Sequence, residues 1–306
     1  MTSKSITGKS TTGRYAQEEG DRLLGKLSEE IARAIQSPGA DEMHDLRVAI
    51  RRFTRVLAVL KACFPRDESR RLRRELRRIM EQAGQVRDRD IALRLVAKVS
   101  PAGSETAPPF PQEEREDAAQ ILTRSLRRWV KLNLPSAWRA AGKSGVIQKK
   151  DKAFCSRGVE VTAARVLPPV GDRFFRRGKD AVRDGAPAHV IHRFRIAAKN
   201  LRYTLELFAP LYGDSIAGLM DHLKEIQDLL GDINDASIVR HMLAETADRE
   251  ILSALKKRER KKTDEFRQQY APLLSNARAR RQWKHTVRNI GSGVQRKTAT
   301  GRRRPV

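Results

Sequence analysis

His44, Arg47 and Arg51 stand three and seven residues apart, and the same spacing returns in His192, Arg195 and Lys199. At 100° per residue, positions i, i+3 and i+7 of an α-helix share one face within about 60°, so each trio forms a single ladder of hydrogen-bond donors. The chemistry open to such a ladder is anion recognition. A planar guanidinium grips two oxygens of one phosphate, and a lysine ammonium adds a point charge. A histidine in the first turn adds a ring donor where free backbone N–H groups and the macrodipole already favour an anion. Neighbouring cations oppose its protonation, which predicts a mostly neutral imidazole that gains a proton when a polyanion arrives. The alternative is a structural histidine bonded to another helix, with Asp88 or Asp235 as the partner. Metal binding is disfavoured because no second ligand follows three or four residues later on that face.

Each ladder is one side of an amphipathic helix. Arg55 prolongs the first and Tyr203 the second, with Arg202 at its edge. Leu46, Ala49, Phe53, Leu57 and Leu60 lie on the opposite side of the first copy, and Phe194, Ala197, Leu201, Leu205 and Phe208 on that of the second. A further helix, expected over 67–83, buries Leu72, Leu76, Ile79 and Ala83 and presents Arg70, Arg73, Arg74 and Arg77. Its counterpart is poorer, since Ala217, Met220 and Asp221 replace three of these arginines and only Lys224 keeps a charge. A solvated face balanced by Glu68, Glu75 and Glu81 is the competing reading for the edge arginines.

The repeat continues downstream, where Gly84, Arg87-Asp88 and Ile91 are echoed by Gly231, Asn234-Asp235 and Ile238. Helical periodicity runs through almost the whole chain, and strand-like runs are missing, which predicts an all-α fold. The expected helices are 15–36, one from an N-cap at Asp41 to Phe64, 67–83 ended by Gly84, 88–99 and 113–130 with a break near Pro135. The second half, from about Lys152, repeats the plan with helices near 157–167, 170–184, 188–209, 214–230, 233–248 and 249–270, then a last stretch near 273–289. Gly171-Asp172-Arg173 weakly echoes Gly20-Asp21-Arg22. Residues 101–111 read as a loop, and 1–13 and 291–306 as disordered.

With 63 Lys and Arg against 37 Asp and Glu, the formal charge is +26, which calls for a polyanionic partner or a surface kept basic for solubility. No run reaches the roughly 18 apolar residues of a membrane span, and the first 13 residues lack a signal-peptide core. Cys63 and Cys155 are too few for a disulfide framework or a zinc site, so reduced, packed thiols and a cytoplasmic setting are expected. The repeated face carries cations rather than the carboxylates that hold Mg²⁺ in phosphoryl transfer, and no Walker-type glycine loop occurs. A non-enzymatic binding protein without cofactor is therefore expected. Nucleic acid is the alternative partner, through the basic face or the tail, although aromatics are only 5% of the chain.

These motifs resemble the conserved histidine α-helical domain, the CHAD family, over about residues 14–289. The resemblance rests on a helix opening with His, then Arg three on and Arg or Lys seven on, present twice, and on Gly84 to Asp88 and Leu229 to Asp235. It implies two helical bundles related by a pseudo-twofold axis, halves of about 14–150 and 152–289, around a basic groove or pore. It also implies binding of inorganic polyphosphate and recruitment to polyphosphate granules, with His44, Arg47, Arg51, His192, Arg195, Lys199 and Arg202 as contacts. Two positions depart from the pattern: Thr54 stands opposite Arg202, and Asn200 opposite Arg52. No Glu-x-Glu-x-Lys signature of a triphosphate-tunnel domain occurs, so the resemblance is to the binding module alone.

Overall fold

Ten α-helices make up most of the regular structure among the described residues, 10–100, 110–143, 149–283 and 285, of a computed structural model. They are α1 (Thr12–Gln36), α2 (Ala40–Val59), α3 (Arg66–Val99), α4 (Gln112–Leu132), α5 (Leu134–Lys143), α6 (Lys149–Cys155), α7 (Val159–Ala181), α8 (Ala188–Tyr212), α9 (Ala217–Met242) and α10 (Arg249–Leu274). Among the described residues the one β-type pairing is an isolated bridge between Thr11 and Gly158. The fold is all-α, as periodicity predicts. No described helix is long and apolar enough to cross a membrane.

The helices assemble into two compact units. One comprises Gln17–Ile147 with Gly231–Asp264, and the other the described parts of Met1–Ala16, Gln148–Leu230 and Glu265–Val306. In the first, α2 buries Leu46, Ile50, Phe53 and Leu57 while α3 buries Leu72, Leu76 and Ile79. Trp138 of α5 packs edge-on to Phe53 at 5.8 Å and donates from Nε1 to Ser69 Oγ at 3.1 Å. A second, smaller core joins Ile91, Ala92, Leu95 and Val96 of α3 to Val239, Leu243 and Leu255.

That second core explains a correction. The sequence suggested two helices, 67–83 and 88–99, separated at Gly84, but α3 is continuous through both. Leu72, Leu76, Ile79, Ala83 and Val86 fall within about 40° of one direction, whereas Ile91 to Val96 point roughly half a turn away. A helix that switches cores mid-length breaks its own periodicity without breaking its backbone. The same change of face, from Leu223 and Ile226 to Val239 and Leu243, runs through α9, which also continues past its glycine, Gly231.

Other boundaries differ for local reasons. Asp41 is not the N-cap of α2: Gly39 occupies that position without a side-chain bond, and Asp41 adds negative charge to the first turn. The helix ends at Val59, and a 3₁₀ turn at Lys61–Cys63 follows before Phe64. Helix α7 runs unbroken through Pro168 and Pro169, because buried residues from Ala163 to Gly178 hold one face on both sides of the pair. The last helical stretch starts at 277 rather than 273, since Pro272 lies within α10 and Asn276 Oδ1 accepts from the Arg278 N–H at 2.7 Å, capping a new start. Neither Cys63 nor Cys155 is a free thiol, correcting the expectation of reduced cysteines. Residues 1–9, 101–109 and 286–306, with the expected disordered tail and most of the expected loop, lie outside the described residues, whereas Thr12 and Gly13, expected in a disordered 1–13, open α1, and Thr11 pairs with Gly158.

In the second unit α7 packs on α8, and Phe174, Phe194, Phe266 and Tyr270 form an aromatic chain with centroid spacings of 5.1, 5.8 and 5.9 Å. The Tyr15 hydroxyl donates to the Leu207 carbonyl, and its ring stacks on Phe208 at 6.3 Å. Trp283 closes the far end against Phe175. The sequence echo between Gly20 and Gly171 acquires a physical meaning. A Cβ on Gly20 would come within 2.9 Å of the Trp138 ring, and one on Gly171 within 1.9 Å of Trp283, so each unit uses a helical glycine to seat an indole.

Gly171→Ala should therefore destabilise the fold by about 1–3 kcal/mol, the cost of forcing a buried ring aside, despite the roughly 1 kcal/mol that alanine gains in helix propensity. Denaturant unfolding checks this, and an unchanged or raised midpoint would contradict the packing.

Candidate anion-binding faces

The first face is built where α2 meets α3. Arg87 Nη1 lies 3.2 Å from His44 Nδ1, and Arg47 Nη1 donates to the Met80 carbonyl at 3.2 Å. These pairs set the two helices antiparallel, so Arg51 falls beside the Met80 to Arg77 turn and Arg55 beside Arg77 to Arg73. Arg47, Arg51, Arg55 and Arg73 are half-buried, while His44, Arg70, Arg74 and Arg77 are exposed. Arg73 Nε donates to the Ser69 carbonyl at 3.2 Å, and Arg70 pairs with Asp67 at 3.2 Å on the outer edge. On the α3 wheel Arg73, Arg77 and Arg87 share the α2 side with Met80 and Gly84, whereas Arg70 and Arg74 form the ridge above it.

The partner of His44 settles its tautomer. A guanidinium has no acceptor, so Nδ1 must accept and the ring proton sits on Nε2. The imidazole is therefore neutral and retains a donor for an incoming oxygen. Its pKa lies below the ordinary 6.5, first through desolvation and then through Arg87, with Arg51 and Arg47 adding to the effect and Asp45 opposing it. The residue is exposed as a whole, yet its ring has lost enough water to neighbouring side chains for desolvation to lead. The alternative drawn from the sequence gave His44 a carboxylate partner, and at Nδ1 the structure places the Arg87 guanidinium. Arg87 is thus a site residue that the sequence reading did not select, although its place in the repeated Gly84 to Asp88 segment was the available signal.

Gly84 has a defined role here. A Cβ at this position would stand 3.0 Å from Arg47 Nη1. The absent side chain lets the guanidinium lie against the α3 backbone. Thr54, opposite Arg202 in the repeat, bonds its own helix through Oγ1 to the Ile50 carbonyl at 2.7 Å and adds no charge to the face.

The second face lies on α8. His192 is exposed, and Arg195 and Lys199 are half-buried along one side. Arg202 is committed within the unit: Nε donates to Glu206 Oε1 at 3.0 Å and Nη1 to Gln227 Oε1 at 3.2 Å. Gln227 is itself buried and donates to the Ala198 carbonyl at 3.1 Å, which locks α9 to α8. Lys224 is exposed on α9. Tyr203 is a correction to the ladder, being only 9% exposed and part of the core. It stands about 20° beyond the His192 direction, and packing between helices covers that edge. Among the described residues no group of three or more His, Cys, Asp or Glu side chains is placed to hold a metal ion.

A helix that opens on histidine and continues with arginine and then arginine or lysine, carried twice in an all-α chain, defines a class of helical proteins with repeated cationic faces. The CHAD domain model matches residues 20–244, and the chain belongs to that family. It is similar in fold to the crystal structure of the CHAD domain from the plant Ricinus communis, with a TM-score of 0.61 and 18% identity over 92% of this chain and 94% of that one. PptA from Streptomyces chartreusis also matches, at 14% identity and a TM-score of 0.49, covering 94% of this chain and 100% of its own. No curated protein matches the sequence.

Gly84→Ala should keep or raise the melting temperature, because the contact is with the flexible end of Arg47 and alanine gains about 1 kcal/mol in a helix interior. The same change should weaken anion binding by moving that guanidinium; equal affinity in the variant would separate Gly84 from the site. For His44, the lowered pKa means the unfolded chain takes up the proton first as pH falls. Stability associated with the neutral ring is complete above the ordinary 6.5 and is lost as pH drops through the lower folded-state value. His44→Gln should thus narrow the fall in melting temperature between pH 7 and pH 5, and parallel profiles would contradict the assignment.

Proposed function

We propose that this chain is a non-enzymatic binding module for inorganic polyphosphate, held by the His44, Arg47, Arg51 and Arg87 face and its counterpart at His192, Arg195 and Lys199. The observation that carries this reading is the α2–α3 seam. It gathers Arg47, Arg51, Arg73 and Arg87 along one pair of helices, with Arg73 oriented by the Ser69 carbonyl and Arg87 by the His44 ring, neutral groups that fix a guanidinium in place. Like charges gathered in this way repel one another, and a polyanion relieves the repulsion while releasing its own counterions. A bare phosphate chain asks for spaced donors and nothing else. Membership of the CHAD family, whose sequence motif implies polyphosphate binding, supports the same partner. Residues 14–289 form the proposed module, one cationic face in each sequence half, and recruitment to polyphosphate granules follows from this affinity.

Non-specific binding to RNA or DNA is the rival, suggested by the charge of +26. The burial of Tyr203 speaks against it, because it removes the single aromatic side chain expected on either ladder. Single-stranded nucleic acid is usually held by base stacking on such rings, whereas polyphosphate has no bases to stack.

Titration of long-chain polyphosphate into the wild type and into Arg47→Glu/Arg195→Glu tests the proposal. Affinity should fall by more than about tenfold, and log K should depend less steeply on log salt, since each lost phosphate contact removes roughly 0.7 to 0.9 from the slope. At matched phosphate and salt, polyphosphate should displace RNA more readily than the reverse. Unchanged affinity in the double variant, or equal competition, would overturn the assignment.

A further inference from the structure

α3 has a second flank, and α4 covers it. Arg89 Nη2 meets Glu114 Oε2 at 3.1 Å, Arg115 Nε meets Asp90 Oδ1 at 3.0 Å, and Arg128 Nη2 lies 4.0 Å from Glu75 Oε1. These three pairs fix an antiparallel register. The end of the seam near Arg89 and Asp90 is thus compensated by acids from α4 and α3. The other end is not composed in this way. There the register sets Arg71, Arg74 and Arg78 of α3 alongside Arg124, Arg128 and Lys131 of α4, and all six side chains are exposed. Glu75 is the acid that reaches into this stretch, and it is mostly buried beneath Arg128.

Such a double row is an unusual choice for a helix contact. At 1.5 Å per residue, Arg71 to Arg78 and Arg124 to Lys131 each extend about 10 Å, on axes that packed helices hold about 8–10 Å apart. Cations across that gap repel, and facing helices elsewhere in this chain place acids opposite bases, as in Arg240 with Glu259. The geometry suits a linear anion lying along the groove better than a compact one, which would reach two or three of the six. Exposed Ile121 accompanies the row, and among the described residues no exposed aromatic side chain of α3 or α4 does, so bases would find no stacking platform. Arg70 and Arg74 stand on the ridge between this seam and the α2–α3 seam.

We infer that a long polyphosphate chain continues from the His44 face over the α3 ridge into the α3–α4 seam, making Arg124, Arg128 and Lys131 a length-selective extension of the site. The inference rests on the polyphosphate reading proposed above. It predicts that short and long chains use different numbers of cations: tripolyphosphate stays on the histidine face, and only longer polymers reach α4.

The test compares the full chain with Arg124→Gln/Arg128→Gln/Lys131→Gln, titrated with tripolyphosphate and with long-chain polyphosphate at several salt concentrations. The variant should lose at least about tenfold for the long polymer and flatten its salt slope by roughly two to three, with tripolyphosphate affinity unchanged. The single Arg124→Gln, exposed and outside the Glu75 pair, should leave ligand-free melting unaffected and show a smaller loss in the same direction, so the test stands even where removal of the Arg128–Glu75 pair lowers the melting temperature of the triple variant. Equal loss for both ligands, or none for either while Arg47→Glu/Arg195→Glu abolishes binding, overturns the extension and leaves the first reading intact. Loss of RNA binding with retained long-chain polyphosphate affinity would make the seam a nucleic-acid surface and overturn it as well. Failure of the wild type to bind polyphosphate at all sinks both.

Discussion

An arginine donates and never accepts, and the face of α2 is organised around that asymmetry. Once Arg87 is placed against His44, the imidazole has to remain neutral on its Nδ1 side, which leaves Nε2–H as the outward-chemistry group of the ring. Arg47 and Arg73 also donate to backbone carbonyls, those of Met80 and Ser69. A carbonyl fixes the plane of a guanidinium without adding an opposing charge of its own. Preorganisation of this kind lowers the entropy lost on binding.

The chain shows the contrasting arrangement as well. Arg115 with Asp90, Arg240 with Glu259 and Arg202 with Glu206 are pairs whose charges offset one another. The first two staple neighbouring helices, the third lies within α8, and it is the bonds of Arg202 and Ala198 with Gln227 that tie α8 to α9. The two repeated ladders consequently differ in what they offer. On α2 the neighbouring helix contributes Arg73, Arg77 and Arg87, while on α9 Ala217, Met220 and Asp221 stand where α3 has arginine. Binding strength should be distributed unequally between units, with the first carrying the greater density of positive charge.

Besides the positive-φ turns at Gly185 and Gly213, glycine serves close approach inside helices, and three such positions bear on the faces and their supporting cores. Gly84 admits Arg47 to the α3 backbone, and Gly20 and Gly171 each admit an indole. All three lie inside helices, where glycine costs about 1 kcal/mol relative to alanine. In the first case the return is the position of a charged group; in the other two it is the fit of a large apolar ring.

Much was legible in the sequence because helical periodicity and charge are local properties. The all-α class, the buried sides of α2 and α8, and the spacing of His44, Arg47 and Arg51 all follow from 3.6 residues per turn. What failed was whatever depended on a second segment. Gly84 resembled a stop because the apolar stripe changed direction there, and only the smaller core formed with Val239, Leu243 and Leu255 shows why it turned. Tyr203 sat at the margin of a cationic stripe by angle alone, and burial against its neighbours removed it. Arg87 was visible as a repeated residue but acquired a role only when α3 folded back along α2, bringing together groups 43 residues apart. A helix wheel reports direction about one axis, and partners are decided by where a second axis lies.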